Sequence, residues 1–162
     1  RGNELWLRLF SRASVLKLRS AYAGHEKEVG DFVRWRLATA DDMPTASLDE
    51  YIQSWFERDE LREALLRWMQ QIPLIVAPVG ATAAMPHGTL KVPAGDKMMG
   101  VFRAFSYAQT FTVFDLPVAV VTAGRTKEGL PIGVQVVGRP FAEETVLAAA
   151  QIIETAFQKR SD

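Results

Sequence analysis

The chain has 162 residues, 48% hydrophobic and 23% charged, which is ordinary globular composition at a length typical of one domain with a sizeable core. Its 19 basic and 19 acidic side chains cancel, leaving no electrostatic case for a nucleic-acid or anionic-membrane partner. The absence of cysteine removes disulfides, thiolate catalysis and zinc–thiolate sites together, and fits a cytoplasmic protein.

Trp6, Leu9, Phe10, Ala13 and Leu16 fall on one face of a first helix, with Arg8, Arg12, Lys17 and Arg19 outside it. Tyr22-Ala23-Gly24-His25 breaks that helix, and Glu26 to Leu37 reads as a second, shorter one with Val29, Phe32, Val33 and Leu37 apolar. Asp41-Asp42-Met43-Pro44 is a further break. Ser47 and Glu50 stand at capping-box spacing and open the strongest helix in the chain. Tyr51, Ile52, Trp55 and Phe56 begin its apolar face, Leu61, Leu65, Trp68 and Ile72 continue it slightly rotated, and Pro73 follows its end. The charges between them read as a solvated outer face with spaced ion pairs.

Leu74-Ile75-Val76-Ala77, bounded by Pro73 and Pro78, suits a strand buried on both faces. Val79 to Gly100 has glycines and prolines but no periodicity, so a long loop is expected there. Phe102 to Phe111 reads as a short helix feeding a strand that begins at Val118. That strand, Val118 to Thr122, closes at Ala123-Gly124. A second run, Ile132 to Val137, sets Ile132, Val134 and Val136 on one face and Gly133 and Gln135 on the other, the pattern of a half-buried strand. Gly138 ends it, Pro140 sits where a helix can begin, and Glu143-Glu144 complement the helix dipole. Val146, Ala149, Ala150, Ile153 and Phe157 then recur at helical spacing. Strands separated by helices make the fold class α/β, a mixed sheet flanked by helices, with residues 1–72 helical and 73–162 forming the sheet. No apolar run approaches the roughly eighteen residues of a membrane span, and no signal-peptide hydrophobic region opens the chain.

The string Leu116-Pro117, strand, Ala123-Gly124, polar turn, Gly129-Leu130-Pro131, Gly133, Gln135, Gly138-Arg139-Pro140, Glu144 and an Ala-rich helix resembles the C-terminal end of the amidase signature family. The family includes bacterial amidases, fatty acid amide hydrolases and the amidase component of the tRNA-dependent amidotransferase. The resemblance implies hydrolysis of a carboxylic amide to acid and ammonia or amine through an acyl-serine intermediate, with a small-molecule amide as substrate. With Arg1 as first residue, it also implies that the chain is the C-terminal piece of a longer amidase. Family members use a serine nucleophile, a bridging serine in a cis peptide bond and a lysine, on a Gly/Ser-rich run and a preceding strand. This sequence has no Gly-Gly pair, no Gly-x-Ser-x-Gly elbow and no adjacent serines, so no catalytic residue is assigned and the chain alone is expected to be inactive. Ser14, Ser47, Ser54 and Ser106 sit in helical contexts.

What remains is pocket lining. The segment before the strand, Thr112, Val113, Phe114 and Asp115, is the one that approaches the acyl group in the family it resembles. Thr112 stands for the usual Asn and Asp115 for the usual Gly, so Asp115 is either a turn residue in an unusual backbone conformation or a change in the pocket's polarity. Thr122 replaces a common proline, and Phe105 stands where amidotransferase-type members carry an acid, which favours an apolar or aromatic acyl group. His25 and His87 are far apart and without ligand spacing, and no nucleotide cradle is present, so neither metal nor cofactor is expected. His87 either lines a substrate mouth or faces solvent. The competing readings are a non-catalytic binding or assembly module on the same fold, and an unrelated α/β domain. Exposed sheet edges lead to an expectation of self-association.

Overall fold

In a computed structural model of the chain, residues 1–40 and 46–161 are described, so the break expected at Asp41 to Pro44 lies outside the described residues. The apolar runs at Leu74, Val118 and Ile132 become the strands β1 (Leu74–Pro78), β4 (Val118–Arg125) and β5 (Pro131–Gly138) of one sheet, in the order β1-β5-β4. The α/β class and all three strands are as expected. Direction is not mixed within the chain: β5 pairs antiparallel with both neighbours, β4 and β5 being joined by a short hairpin link through Gly129 at φ 85°.

Central placement alters the burial of β5. The expected half-buried strand is instead covered on both faces from Gln135 to Gly138. Val136 packs under α7 (Glu143–Ser161) with Val146 and Ala150, while Val137 joins Leu5, Leu9, Met69, Val113, Phe114 and Leu116 on the opposite face. Conversely β1, expected to be buried on both sides, is an edge strand with Val76 in water: α7 lies mainly over β4 and β5, and on that face of β1 Leu74 packs against the cluster of Val136, Val146 and Ala150. The apolar face of α7 is as read, with Val146 and Ala150 buried and Ala149, Ile153 and Phe157 half-buried.

Residues 2–21 are helical throughout: α1 (Gly2–Trp6), a π-helical turn (Leu7–Ser11) and α2 (Arg12–Ala21). The wide turn accommodates an extra residue and shifts the phase of the helix. Hence Leu5, Leu9 and Val15 are buried, whereas Ala13 and Leu16 of the expected face are exposed. Tyr22 ends the helix and Gly24 turns at φ 80°. The next helix, α3 (Asp31–Ala38), starts five residues later than expected, because Glu26 to Val29 form turns and the extended Gly30 is its N-cap. In α4 (Leu48–Trp68) the capping box is complete: Ser47 Oγ accepts from the Glu50 N–H at 3.2 Å and Glu50 Oε2 accepts from the Ser47 N–H at 2.7 Å. Tyr51, Trp55, Leu61 and Leu65 face the core, but Ile52, Phe56, Trp68 and Ile72 are exposed. Glu57 ties α4 to the first helix by accepting from Arg8 at 2.7 Å and Arg1 at 2.9 Å.

The stretch expected as one long loop contains a hairpin, β2 (Lys91–Ala94) and β3 (Lys97–Gly100). Gly95 takes φ 64° at its turn, the first central position where a two-residue hairpin favours glycine. The expected short helix is two pieces, α5 (Val101–Ala104) and α6 (Ser106–Thr112), which meet at Phe105. After β5, Phe141 adopts φ 62° with its side chain in water.

Candidate functional site

The segment expected to line an acyl pocket leaves the end of α6 and enters β4. Val113 and Phe114 are buried in the central apolar cluster. Thr112 is exposed and its hydroxyl donates to Ala108 O at 3.0 Å. Asp115 turns the chain at φ 51°, the left-handed region that short polar side chains tolerate, so it occupies the turn role that one of its two readings gives it.

Two arginines one helical turn apart on α4 hold this segment in place. Arg58 Nε donates to Val113 O at 2.8 Å and Arg62 Nε donates to Phe114 O at 2.9 Å. Arg58 also pairs with the carboxylates of Asp59 and Asp115, and its guanidinium lies 5.5 Å from the Trp55 ring centroid. The solvated outer face expected for these charges is therefore, at Arg58 and Arg62, a contact surface. The signal that could have found them is the i, i+4 pair of arginines beside Trp55, on the turn that carries the helix's apolar residues.

The exit of β1 is fixed against the same region. Ala81 N–H donates to Ala104 O at 2.8 Å, and the Phe105 ring lies where a side chain at Gly80 would stand, 2.8 Å from an ideal Cβ position. Gln135, buried in β5, donates from Nε2 to Pro78 O at 2.6 Å. A shallow cleft of about 340 Å³ opens between α1 and the α5–α6 pair, lined by Asn3, Glu4, Leu7, Phe102, Arg103 and Gln109. Asn3 Nδ2 donates to Gln109 Oε1 at 2.6 Å across it, and Gln109 Nε2 donates to Phe102 O at 3.0 Å, so both amides are engaged by the protein. Thr112, Val113, Phe114 and Asp115 are not among the residues lining that cleft.

Four of the serines are used structurally. Ser14 Oγ donates to Ser11 O and Ser54 Oγ to Glu50 O, both at 2.8 Å, while Ser47 caps α4. Buried Ser11 Oγ accepts from Arg36, a donor that cannot take a proton from it. Burial pushes the Arg36 guanidinium below its ordinary value. Carboxylate acidity is tuned by hydrogen bonds. Glu57 is held low by the Arg8 and Arg1 side chains, Glu50 by the Ser47 N–H, Glu26 by backbone N–H groups and Glu128 by the Thr126 hydroxyl. Each stays ionised at neutral pH, which suits a hydrogen-bond acceptor and not a general acid. His25 Nδ1 lies 2.8 Å from Glu28 on the surface, and among the described residues no group of three potential metal ligands occurs. No helix among the described residues is long and apolar enough to cross a membrane.

Residues 10–147 match the family model described as Amidase, which spans most of the chain. The chain belongs to the amidase family. Among curated amidase relatives, a glutamyl-tRNA(Gln) amidotransferase subunit from Acidobacterium capsulatum is 34% identical over 95 residues, covering 59% of this chain and 19% of that protein. A fatty acid amide hydrolase of Arabidopsis thaliana is 32% identical over 115 residues, 67% of this chain and 18% of that protein. The chain therefore spans less than a fifth of the length of the curated relatives it matches. A solved amidase structure superposes with a TM-score of 0.78 at 24% identity, covering 96% of this chain and 35% of that one. A bacterial aryl acylamidase of the amidase signature family gives 0.66 at 20% identity, covering 96% and 33%. At these identities the two structures speak for the fold, an amidase signature fold with helices around antiparallel strands.

Proposed function

We propose that this chain is the C-terminal part of a cytoplasmic amidase that hydrolyses a carboxylic amide to acid and ammonia or amine through an acyl-serine intermediate. In that reaction water adds across the amide C–N bond in two steps, the acyl group resting on a serine in between. The chain, read as one domain, supplies sheet, packing helices and the Thr112 to Asp115 lining, and carries no nucleophile. The family match over residues 10–147 is the observation that carries this reading. Lining would come from the exposed Thr112 and Asp115 side chains and the backbone between them, since Val113 and Phe114 turn into the core. Phe105, an apolar ring over Gly80, supports an apolar or aromatic acyl group over glutamine.

A fluorophosphonate probe tests the division of labour. No serine of the 162-residue chain is expected to react. Labelling of one serine would place the nucleophile here and overturn the assignment. The encoding gene upstream of Arg1 is expected to carry a Gly/Ser-rich run and a lysine strand. Their absence would favour a non-catalytic module.

A further inference from the structure

We propose, on the reading of Thr112 to Asp115 as lining of the acyl pocket, that Arg58 is a specificity-determining residue. By holding the Asp115 carboxylate it keeps that wall without net charge, so the parent amidase takes neutral amides in preference to cationic ones. Asp115 stands where the amidase signature pattern has glycine, and a free carboxylate there would draw an ammonium or guanidinium group to the pocket wall. Arg58 prevents it. Its Nη2 donates to Asp115 Oδ2, its Nη1 to Asp59 Oδ1 at 2.6 Å and its Nε to Val113 O at 2.8 Å, so a single guanidinium fixes both the backbone and the charge of the turn.

The two partners divide the work by their burial. Arg58 is largely enclosed and lies against the Trp55 ring, which fixes where its charge sits, whereas the exposed Asp115 carboxylate is the group a substrate would meet. One turn along α4, Arg62 donates from Nε to Phe114 O at 2.9 Å. Two arginines thus stand with two carboxylates, Asp59 and Asp115, and the charges balance. The turn itself does not call for an acid, since glycine serves φ 51° at least as well. A carboxylate that the backbone does not require, seated on an arginine that neutralises it, leaves the wall polar but uncharged.

Steady-state kinetics of the whole amidase on benzamide and para-aminomethylbenzamide, which differ by one ammonium group, test this. Arg58→Gln keeps a donor but loses the charge, and should raise the kcat/KM ratio of the cationic to the neutral amide about fivefold. The change is expected in KM, because the carboxylate meets a group remote from the reacting bond. Adding Asp115→Asn to Arg58→Gln should return the ratio to its starting value, which a merely structural role for Arg58 would not do. Arg58→Lys keeps the charge and should hold the ratio within about twofold. Asp115→Asn alone, which folds whatever becomes of the Arg58 variants, should also move it less than about twofold, since the charge it removes is already paired. A fall of about fivefold in that variant would show a carboxylate open to substrate and overturn the proposal. Thr112→Asp separates the two readings by adding a further carboxylate to the wall at an exposed position. A raised ratio there with none in Arg58→Gln would sink the role of Arg58 and leave the pocket lining standing. An unmoved ratio in both would sink the lining, and the role of Arg58 with it.

Discussion

Arg58 spans from α4 to the turn before β4 and pairs with Asp115, its own side chain 11% exposed and its partner's 69%. That asymmetry sets unequal costs for removing either one. Arg58→Met loses the bond to Val113 O and the ring contact with Trp55, and should destabilise the chain by about 2–3 kcal/mol in urea unfolding. Asp115→Asn should cost under about 1 kcal/mol, as exposed ion pairs do. Asp115→Gly should be as mild, because glycine accepts φ 51° freely, whereas Asp115→Ala should cost about 1 kcal/mol more. Equal losses for Arg58→Met and Asp115→Asn would mean that the pair, not the carbonyl bond, holds the segment.

Gly138 is where β5 meets α7, and a Cβ there would collide with the Val146 side chain. Gly138→Ala should therefore destabilise by about 1–3 kcal/mol through overpacking. Combining it with Val146→Ala should give less than the sum of the two single losses, since the smaller side chain makes room. Additive losses in denaturant titration would locate the strain elsewhere.

The capping box predicts a pH dependence. Glu50 is held below its ordinary value of 4.5 by the Ser47 N–H, so its contribution is complete above that value and fades as pH falls through the lower folded one. Glu50→Gln should remove that part of the acid-side loss of melting temperature. Ser47→Ala should cost about 1 kcal/mol at neutral pH. Unaltered acid-side curves for Glu50→Gln would show that the carboxylate is not engaged.

Gln135 is buried, and its amide bonds the carbonyl of Pro78 on the neighbouring strand. Gln135→Leu keeps the volume but leaves that oxygen without its donor, at a cost of about 1–3 kcal/mol. Hydrogen exchange should also quicken at Ala81, whose N–H bonds Ala104 just beyond the same strand end. Slow exchange there in the variant would mean that the Phe105 contact alone anchors the exit of β1.

Local chemistry makes part of this fold legible. Val118 to Thr122, Ile132 to Val137 and the helix after Pro140 carry their period and their Gly/Pro punctuation within a few residues. The β2–β3 hairpin is hidden because Lys91 to Gly100 lacks a β-branched run, although Gly95-Asp96 is a recognised two-residue turn signal. The phase of the first helix depends on a π-helical turn that no residue announces. Burial of β5 on both faces follows from α7 packing on one side and the helical cluster around Leu5 and Met69 on the other, and the engagement of Arg58 with Val113 joins residues 55 apart in sequence. Those are properties of assembly, invisible to a window of neighbours.

Phe141 has a further consequence for anyone wishing to make this chain melt at a higher temperature. Its backbone holds a left-handed angle that a bulky residue resists by about 1–2 kcal/mol, and its ring, 96% exposed, offers the folded state no contact in compensation. Trimming that aromatic to glycine relaxes the bend, and a ring already in water takes no packing away with it, so the sturdier version of the protein is the one with less hydrophobic matter in it.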